Sequence, residues 1–299
     1  MRTYFTGETQ EGTYGVPYQL RVLQEHGLKA TYFIEPLFSF ALGLAPLRQM
    51  VSQVQQHGQE VGLHLHPEWL TDPRCENLPQ FSGPLLASYS QDVQSQLIKA
   101  GLDRLQEAGA GPINVFRAGS WGANQATLSA LAGNGLLMDT SLNAAFPESL
   151  PDLPNRQMVQ NPTLCQRVAE FPVTHFLDGT KRDIRPLQVT ACSFDEFRFV
   201  IDSSIAQGRS MLVIVFHSFE FVRVSRFSRG RLANPQRLLA RRFERICHYL
   251  AAHRDVLETC HFRDIRLSDP DFARTPAPIR SSRTRTMLRI AQQALSHIY

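Results

Sequence analysis

The sequence lacks several features that would place it in a specialised class of protein. It contains no uninterrupted apolar run of about 18 residues, the length that a membrane-spanning helix requires. Its N-terminal segment has neither the apolar stretch nor the cleavage site of a secretory signal. The five cysteines are scattered, odd in number and never spaced as CxxC, which favours reduced thiols. Together these absences predict a cytoplasmic protein.

Lysine is absent from two arginine-rich stretches, residues 223–245 and 274–289. No aromatic-interleaved basic motif accompanies them, which argues against nucleic acid as a partner. A solvated basic face is the first explanation for these stretches. An anionic glycan, a nucleotide-linked sugar or an acidic membrane surface is the alternative.

Stretches with helical spacing alternate with short apolar strands along most of the chain. Residues 16–25, 47–54, 93–108 and 194–206 carry apolar side chains at helical spacing, and a glycine ends or follows most of them before the next strand. Such alternation predicts an α/β fold with parallel strands. The number of units favours a closed or nearly closed (β/α) barrel. Residues 146–166, with four prolines, predict a long loop.

The C-terminal segment differs from the rest of the chain. Residues 269–282 are rich in proline, serine and arginine and predict a linker. We therefore expect a single barrel domain over residues 1–268 and a basic tail over 269–299. Within the tail an amphipathic helix is predicted, whose apolar face comprises Met287, Ala291, Ala294 and Ile298. We expect this face to pack against the barrel, with peripheral membrane contact as the alternative.

Chemically active side chains stand where the apolar strands end. His64 and His66 close GLHLHP, Arg117 follows NVF, and Asp139 follows LLM. His217 follows five consecutive apolar residues, LVIVF, which predict a buried strand over 211–216. The carboxyl ends of parallel strands meet at one edge of a sheet or one mouth of a barrel, where loops build the active site. This layout predicts an enzyme.

The residue types point to acid–base and metal chemistry. His64 and His66 are two apart in a strand pattern, so their side chains point to the same face. Two imidazoles at a strand end predict half of a site for zinc or a similar ion, with Glu68 just beyond. Asp139 is a carboxylate able to orient His217. A surface histidine pair, a satisfied core histidine and ordinary strand-end ion pairs would explain each residue taken alone.

The order of these motifs resembles the polysaccharide deacetylases of the NodB-homology type, carbohydrate esterase family 4. The resemblance runs over about residues 3–221 and is carried by LHLHPEWL, FRAGSWGAN, EFPVT and FHSFEF. It is closest to a cytoplasmic-looking branch associated with exopolysaccharide synthesis. Such proteins have a distorted (β/α) barrel and a zinc-like ion bound by one aspartate and two histidines.

The resemblance implies a metal site with one departure from the family pattern. His64 matches the first metal histidine. The second ligand is His66, which precedes a proline, or Glu68, which stands at the usual spacing. At the N-terminus, Glu8 falls at the position of the catalytic base and Gln10 where a metal-binding carboxylate is expected. A neutral amide is a poorer ligand for a zinc-like cation than a carboxylate.

The resemblance also implies roles for residues outside the metal site. Arg117 would steady the base, and His217 would be the catalytic acid, with Asp139 as the carboxylate behind it. Trp121 and Val215 would line the groove that holds the sugar.

The implied activity is metal-dependent removal of N-acetyl, or O-acetyl, groups from a polysaccharide or glycan precursor, with Glu8 as base and His217 as acid. One alternative is a weakened or inactive deacetylase-like protein that binds glycan in exopolysaccharide biosynthesis, which Gln10 favours. Another is a metal-dependent amidohydrolase acting on a small N-acyl compound.

Overall fold

The computed structural model of the protein describes residues 5–180, 183–223, 233–268 and 276–298, of which 295–298 are described by their backbone alone. The described residues divide into two compact units. The first unit draws on Met1–Leu28, Thr174–Thr259 and Ala277–Tyr299, and the second on Lys29–Val173 and Cys260–Pro276. Parts of the predicted linker at 269–282 and of the arginine-rich stretch at 223–245 lie outside the described residues.

Helices and short strands alternate in the described chain, as the sequence predicts. The α-helices are α1 (Val16–Glu25), α2 (Phe38–Leu42), α3 (Leu44–Gln56), α4 (Gln91–Glu107), α5 (Gln125–Gly133), α6 (Phe194–Ala206), α7 (Arg237–Ala252) and α8 (Arg283–Ile298). The strands are β1 (Glu8–Thr9), β2 (Gly12–Thr13), β3 (Thr31–Ile34), β4 (Glu60–Leu65), β5 (Val115–Ala118), β6 (Met138–Asp139), β7 (Thr163–Cys165), β8 (Val168–Glu170), β9 (His175–Leu177), β10 (Ile184–Pro186), β11 (Val222–Arg223) and β12 (Asn234–Pro235).

The second unit is built on a six-stranded sheet with the order β3-β4-β5-β6-β8-β7. All neighbouring strands are parallel except β7 and β8, which are antiparallel. The predicted α/β class is confirmed. The sheet is nevertheless open in the described part of the chain, where no pairing joins its edge strands β3 and β7 into a closed barrel.

The antiparallel edge strand arises from the segment that the sequence predicts to be a loop. β7 belongs to the proline-rich residues 146–166 and returns into β8 through Gln166 and Arg167, which both have positive φ angles, 51° and 69°. Such left-handed pairs form tight hairpin turns that match the twist of the strands. The edge position beside β8 is therefore taken by a hairpin strand rather than by the next parallel strand of a barrel.

Side-chain caps determine where two of the helices begin. Asn124 and Thr127 exchange hydrogen bonds at the start of α5, and Ser193 and Glu196 do the same at the start of α6. Each reciprocal cap satisfies two backbone N–H groups that a helix start leaves without partners. A cap of this kind contributes about 1 kcal/mol. Among the described helices, none combines the length and apolarity needed to cross a membrane.

The predicted strand at 211–216 is wrong. In the first unit this segment pairs at two separate points: Val213 N–H donates to the hydroxyl of Thr174, and Val215 forms a single parallel bridge with Gln188. A strand needs consecutive pairs with one neighbour, and the partner changes between Val213 and Val215. The apolar run is buried in part, with Val215 only 1% exposed, but it is not a regular strand.

The orientation predicted for the C-terminal helix is also wrong. Helix α8 packs within the first unit with Thr286 and Arg289 inward, and Arg289 is 1% exposed. The Arg289 guanidinium donates to the carboxylate of Glu196 at 3.2 Å and lies 3.7 Å from that of Asp178. Met287, which the amphipathic pattern places inward, is 59% exposed. The buried ion cluster decides which side faces in, because a charge can be buried only with its partners.

Three other positions belong to the predicted apolar face. Ala291 and Ala294 are exposed with Met287. The side chain of Ile298 lies outside the described residues.

Arg289→Ala is expected to destabilise the protein by about 3–5 kcal/mol, because Glu196 would lose the cation hydrogen-bonded to it inside the core. Urea denaturation followed by circular dichroism measures the loss. Arg283→Ala, on the exposed side of the same helix, is the control and should change stability by less than about 0.5 kcal/mol. Equal effects of the two substitutions would contradict the importance of the buried cluster.

Candidate functional site

Parallel strands of the second unit align three of the predicted site residues. His64 lies near the end of β4 and is paired in register with Arg117 of β5. Asp139 ends β6 and is paired with Phe116, the neighbour of Arg117. Since the strands are parallel, these residues lie at the same, carboxyl-terminal edge of the sheet. The structure therefore brings these three residues to one edge of the sheet, as the sequence predicts.

The two histidines after the apolar part of β4 lie against each other. Their ring centroids are 4.8 Å apart and the rings are nearly perpendicular, at 82°. His64 Nδ1 donates a hydrogen bond to the carbonyl oxygen of Arg117 at 2.6 Å, which makes Nε2 the nitrogen that carries the lone pair in the neutral ring. His66 Nδ1 lies 3.3 Å from a carboxylate oxygen of Glu68. All three predicted metal ligands are thus neighbours.

These neighbours do not fit a preformed zinc site. Zinc in proteins takes three or four ligands that converge on one point. Within the residues that the structure describes, no group of three histidine, cysteine, aspartate or glutamate side chains converges in this way. The Glu68 carboxylate instead accepts from His66, so two of the predicted ligands are directed at each other rather than at a common ion.

Arg117 is held between aromatic rings and the next strand. Its guanidinium carbon lies 4.3 Å from the centroid of the Phe33 ring and 5.3 Å from that of Trp121. Its Nε and Nη2 donate to the carbonyl oxygen and hydroxyl of Thr140 at 3.2 and 3.3 Å. Burial lowers the pKa of Arg117 to about 10, partly opposed by the nearby carboxylates of Asp139 and Glu170. The side chain therefore remains a cation at neutral pH.

Asp139 forms a buried carboxyl pair with Glu170, a residue that sequence reasoning missed. The two are direct partners across β6 and β8, and both side chains are 0% exposed. Asp139 Oδ1 accepts from the hydroxyl of Ser141 at 2.6 Å, and Glu170 Oε1 accepts from the N–H of Leu142 at 2.9 Å. The second oxygens, Oδ2 and Oε2, have no hydrogen-bond partner in the described part of the chain.

The pair is best understood as sharing one proton. Two buried carboxylates side by side cannot both be ionised at reasonable cost. Burial raises the pKa of Asp139, and burial together with the neighbouring Asp139 raises that of Glu170 well above its usual range. A proton between Oδ2 and Oε2 would satisfy both oxygens. The sequence did contain a sign of the buried Glu170: its carboxylate stands inside the apolar stretch VAEF.

Glu35 is a second strand-end residue that sequence reasoning missed. It follows β3 directly, and its carboxylate accepts hydrogen bonds from the backbone N–H groups of Leu37 and Phe38 at 2.8 and 3.1 Å. Burial raises its pKa to about 8, against the lowering effect of these hydrogen bonds. Its position after an apolar strand is the same signal that identified His64 and Asp139.

In the first unit, His217 is held by a carboxylate three residues later. His217 Nδ1 lies 2.9 Å from Oε1 of Glu220, which also accepts from the Gln188 amide at 2.6 Å and the Thr190 hydroxyl at 3.0 Å. The His217 ring stacks on Phe219 at 5.1 Å. Glu220, Gln188 and Thr190 were missed, although a carboxylate three residues after a candidate acid is visible in HSFE.

The Glu220 carboxylate is kept in its ionised form by these contacts. Burial acts to raise its pKa, but the hydrogen bonds and charge of His217 and the hydrogen bond from Gln188 outweigh burial, and the pKa is lowered. An ionised partner at Nδ1 orients the ring and directs Nε2 away from it. The arrangement is that of a histidine prepared for proton transfer.

The remaining predicted residues of the first unit lie outside its helices, in a short hairpin and in a segment without regular strand pairing. Glu8 is half-buried in the two-residue strand β1, which pairs with β2 as a hairpin, and the hydroxyl of Thr6 donates to it at 3.4 Å. Gln10 is exposed in the turn between these strands. Val215 is buried beside Gln188.

Trp121 of the second unit follows β5 in a strained turn. Ser120 and Trp121 have φ angles of 51° and 62°, a conformation that costs about 1–3 kcal/mol for a residue other than glycine. The Trp121 ring is 7% exposed and lies 6.0 Å from that of Phe146. Strain of this kind persists only where surrounding contacts hold the residue, here those of the indole with Arg117 and Phe146.

Comparisons with known proteins identify the fold. No family model matches the sequence, and no curated protein matches it either. Among solved structures, the chain is similar to a candidate polysaccharide deacetylase from Mycobacterium smegmatis, with a TM-score of 0.50 and 18% identity over 82% of this chain and 73% of that one. This similarity shows that the two chains share a fold.

Two further structures match less well. A family 4 carbohydrate esterase from Streptomyces lividans, in complex with acetate, has a TM-score of 0.44 and 17% identity, covering 88% of this chain and 90% of that one. The peptidoglycan deacetylase PdaC from Bacillus subtilis has a TM-score of 0.35 and 11% identity, covering 94% and 87%.

Glu170→Gln is expected to make the protein less sensitive to rising pH. A carboxyl whose pKa is raised by folding contributes stability that is complete below its unfolded pKa of about 4 and is lost as pH rises through the raised value. The glutamine amide is able to donate to Asp139 Oδ2 without having to ionise. Thermal melting between about pH 5 and pH 9 measures the effect.

The control for this prediction is Glu148→Gln, an exposed carboxyl of the same unit. It should keep the pH dependence of the unmodified protein. If Glu170→Gln also kept it, the shared proton would be refuted.

Protein purified without chelators is expected to contain well below one zinc ion per chain, because the described donors around His64 do not converge. Elemental analysis by mass spectrometry measures the content. His64→Ala should leave it unchanged, as should the control His57→Ala. Stoichiometric zinc that disappears only in His64→Ala would contradict this expectation.

Proposed function

We propose that the protein is a carbohydrate deacetylase that removes N-acetyl, or O-acetyl, groups from a polysaccharide or glycan precursor. The observation that carries the proposal is the pair formed by His217 and Glu220, 2.9 Å apart, in a chain that shares the fold of the Mycobacterium smegmatis structure. An imidazole oriented by an ionised carboxylate is a common donor and acceptor of protons in hydrolysis.

His217 acts as the general acid. With Nδ1–H directed at Glu220, the ring exchanges its catalytic proton at Nε2. His217 gives this proton to the sugar nitrogen as the bond to the acetyl carbon breaks, while its Nδ1 stays directed at Glu220. Gln188 and Thr190, which donate to the same carboxylate oxygen, hold Glu220 in place.

Glu8 acts as the general base. Its half-buried carboxylate takes a proton from water as the water oxygen attacks the acetyl carbon. The tetrahedral intermediate then expels the amine, which receives the proton of His217. The products are acetate and a free amino group on the sugar, or a hydroxyl group when the substrate is an O-acetyl ester.

The roles that the resemblance implies for residues of the second unit remain proposals. The same holds for Val215 of the first unit, and all of these roles rest on the resemblance alone. No step proposed here passes through a metal, since His64, His66 and Glu68 do not converge.

The branch of the family that the sequence resembles also suggests a more specific substrate. We propose an intracellular glycan precursor in exopolysaccharide synthesis. The arginine-rich composition of residues 274–289 is compatible with an anionic carrier of such a precursor, either a nucleotide or a lipid phosphate.

A second candidate function is glycan binding without catalysis in exopolysaccharide biosynthesis. It is favoured by two observations: Gln10, which stands in place of an acidic residue, is exposed in a turn, and no three ligand side chains converge in the described residues. Such a protein would bind an N-acetylated oligosaccharide and release it unchanged.

Acetate release from an N-acetylated glucosamine oligosaccharide, with and without added Zn²⁺, tests the proposal. His217→Ala is expected to lower the rate by about 10²–10⁴-fold, because the departing amine loses its proton donor. Glu220→Gln should lower it less, because the ring keeps its proton but loses the carboxylate that orients it. His253→Ala, a half-buried histidine of the same unit, is the control and should keep the full rate.

Two outcomes would reject the deacetylase. Binding of the oligosaccharide without any acetate release, with zinc supplied, would establish the second candidate instead. Acetate release that is equally fast in His217→Ala would show that another residue is the acid.

A further inference from the structure

Helix α8 presents a continuous apolar surface to solvent. Met287, Leu288 and Ile290 are 59%, 52% and 45% exposed, and Ala291 and Ala294 are exposed with them. At 3.6 residues per turn these five side chains occupy one unbroken arc of somewhat less than half the helix. We call this arc the outer face of α8.

The buried side of the helix holds the outer face in this orientation. Thr286 and Arg289 point inward, and Arg289 binds Glu196 at 3.2 Å while Gln293 donates to the carbonyl oxygen of Thr190 at 3.3 Å. Turning the helix to bury its apolar arc would pull Arg289 out of its ion cluster. The exposure of the outer face is therefore enforced by the strongest contacts of the helix.

An exposed arc of this extent differs from the scattered apolar residues that protein surfaces usually carry. Single exposed leucines need no explanation, whereas contiguous apolar surface marks a site of interaction. The five side chains are adjacent on one helix, and no polar residue interrupts the arc between them. The outer face therefore requires a partner that accepts apolar side chains.

The charge around the outer face indicates which partner it fits. Residues 277–299 contain four arginines and no aspartate or glutamate. Arg280 and Arg283 are exposed, and Arg283 lies one turn before Met287 on the same side of the helix. Arg285 stacks on the ring of Phe199 at 4.2 Å. Apolar side chains bordered by cations match the boundary between acyl chains and anionic headgroups.

A second copy of the chain fits the outer face less well. A symmetric dimer would place the same surface on both partners. With the two helices parallel, Arg283 of one copy would approach Arg283 of the other; in either arrangement the segment offers no acidic residue to pair with these arginines. Juxtaposed like charges are costly at an interface.

We propose that the outer face of α8 binds the surface of membranes that contain anionic lipids. The helix lies flat in the interface, with Met287, Leu288 and Ile290 inserted among the acyl chains and with Arg280 and Arg283 at the phosphates. This surface is independent of the deacetylase activity, because it includes none of the residues assigned to hydrolysis.

Sedimentation with lipid vesicles tests the proposal. The protein should bind vesicles of phosphatidylcholine mixed with phosphatidylglycerol, bind pure phosphatidylcholine much less, and release from the mixed vesicles at high salt. The double variant Leu288→Ser/Ile290→Ser should bind the mixed vesicles at least about ten-fold more weakly, because the inserted apolar area is lost. Arg283→Ser should weaken binding by a smaller factor.

The matched control is Leu238→Ser in α7, an apolar residue 46% exposed in the same unit. It should bind vesicles as the unmodified protein does. Circular dichroism and melting temperature establish that each variant is folded, which is expected since all the altered side chains are exposed.

Three results would overturn the proposal. One is failure of the unmodified protein to bind either kind of vesicle. Another is equal binding by the protein and the Leu288→Ser/Ile290→Ser variant. The third is a dimer, detected by sedimentation velocity, that this variant dissociates, since the outer face would then be an interface between copies of the chain.

Discussion

The parallel pairing of β3, β4, β5, β6 and β8 is the constraint on which the chemistry of the second unit depends. Parallel strands end at the same edge, so residues separated by tens of positions along the chain become neighbours there. The register places His64 beside Arg117, and Phe116 beside Asp139. Without this pairing, the polar residues of the strand ends would be unrelated side chains in different loops.

Both units keep charged groups in their interiors, and each satisfies them in a different way. In the second unit, Asp139 and Glu170 lower their combined charge by sharing a proton. In the first, the Arg289 guanidinium donates to the Glu196 carboxylate at 3.2 Å. A buried charge is tolerated only when it is paired or neutralised. These contacts contribute less to net stability than to the choice of one orientation, as the inward side of α8 illustrates.

Much of the fold and part of the candidate site were predictable from local patterns. Helical spacing and glycines located α1, α4 and α6, and apolar runs located β4 and β5, because these signals depend on neighbouring residues. The run at 211–216 carried the same signal, but its neighbours pair with it at separate points, so no strand forms. Glu170 and Glu220 were missed because their importance comes from a partner, Asp139 in one case and His217 in the other.

The sequence by itself determined the α/β class, the resemblance to polysaccharide deacetylases, and the residues that end the strands, since these follow from periodicity and motif. Only the tertiary structure decided that the edge strand β7 turns back into a hairpin, that Glu220 hydrogen-bonds to His217, and that Glu68 faces His66. It also decided that α8 buries an arginine and exposes its apolar arc. The physical reason is that such choices depend on which charged groups find partners in the folded core, and no local pattern encodes that.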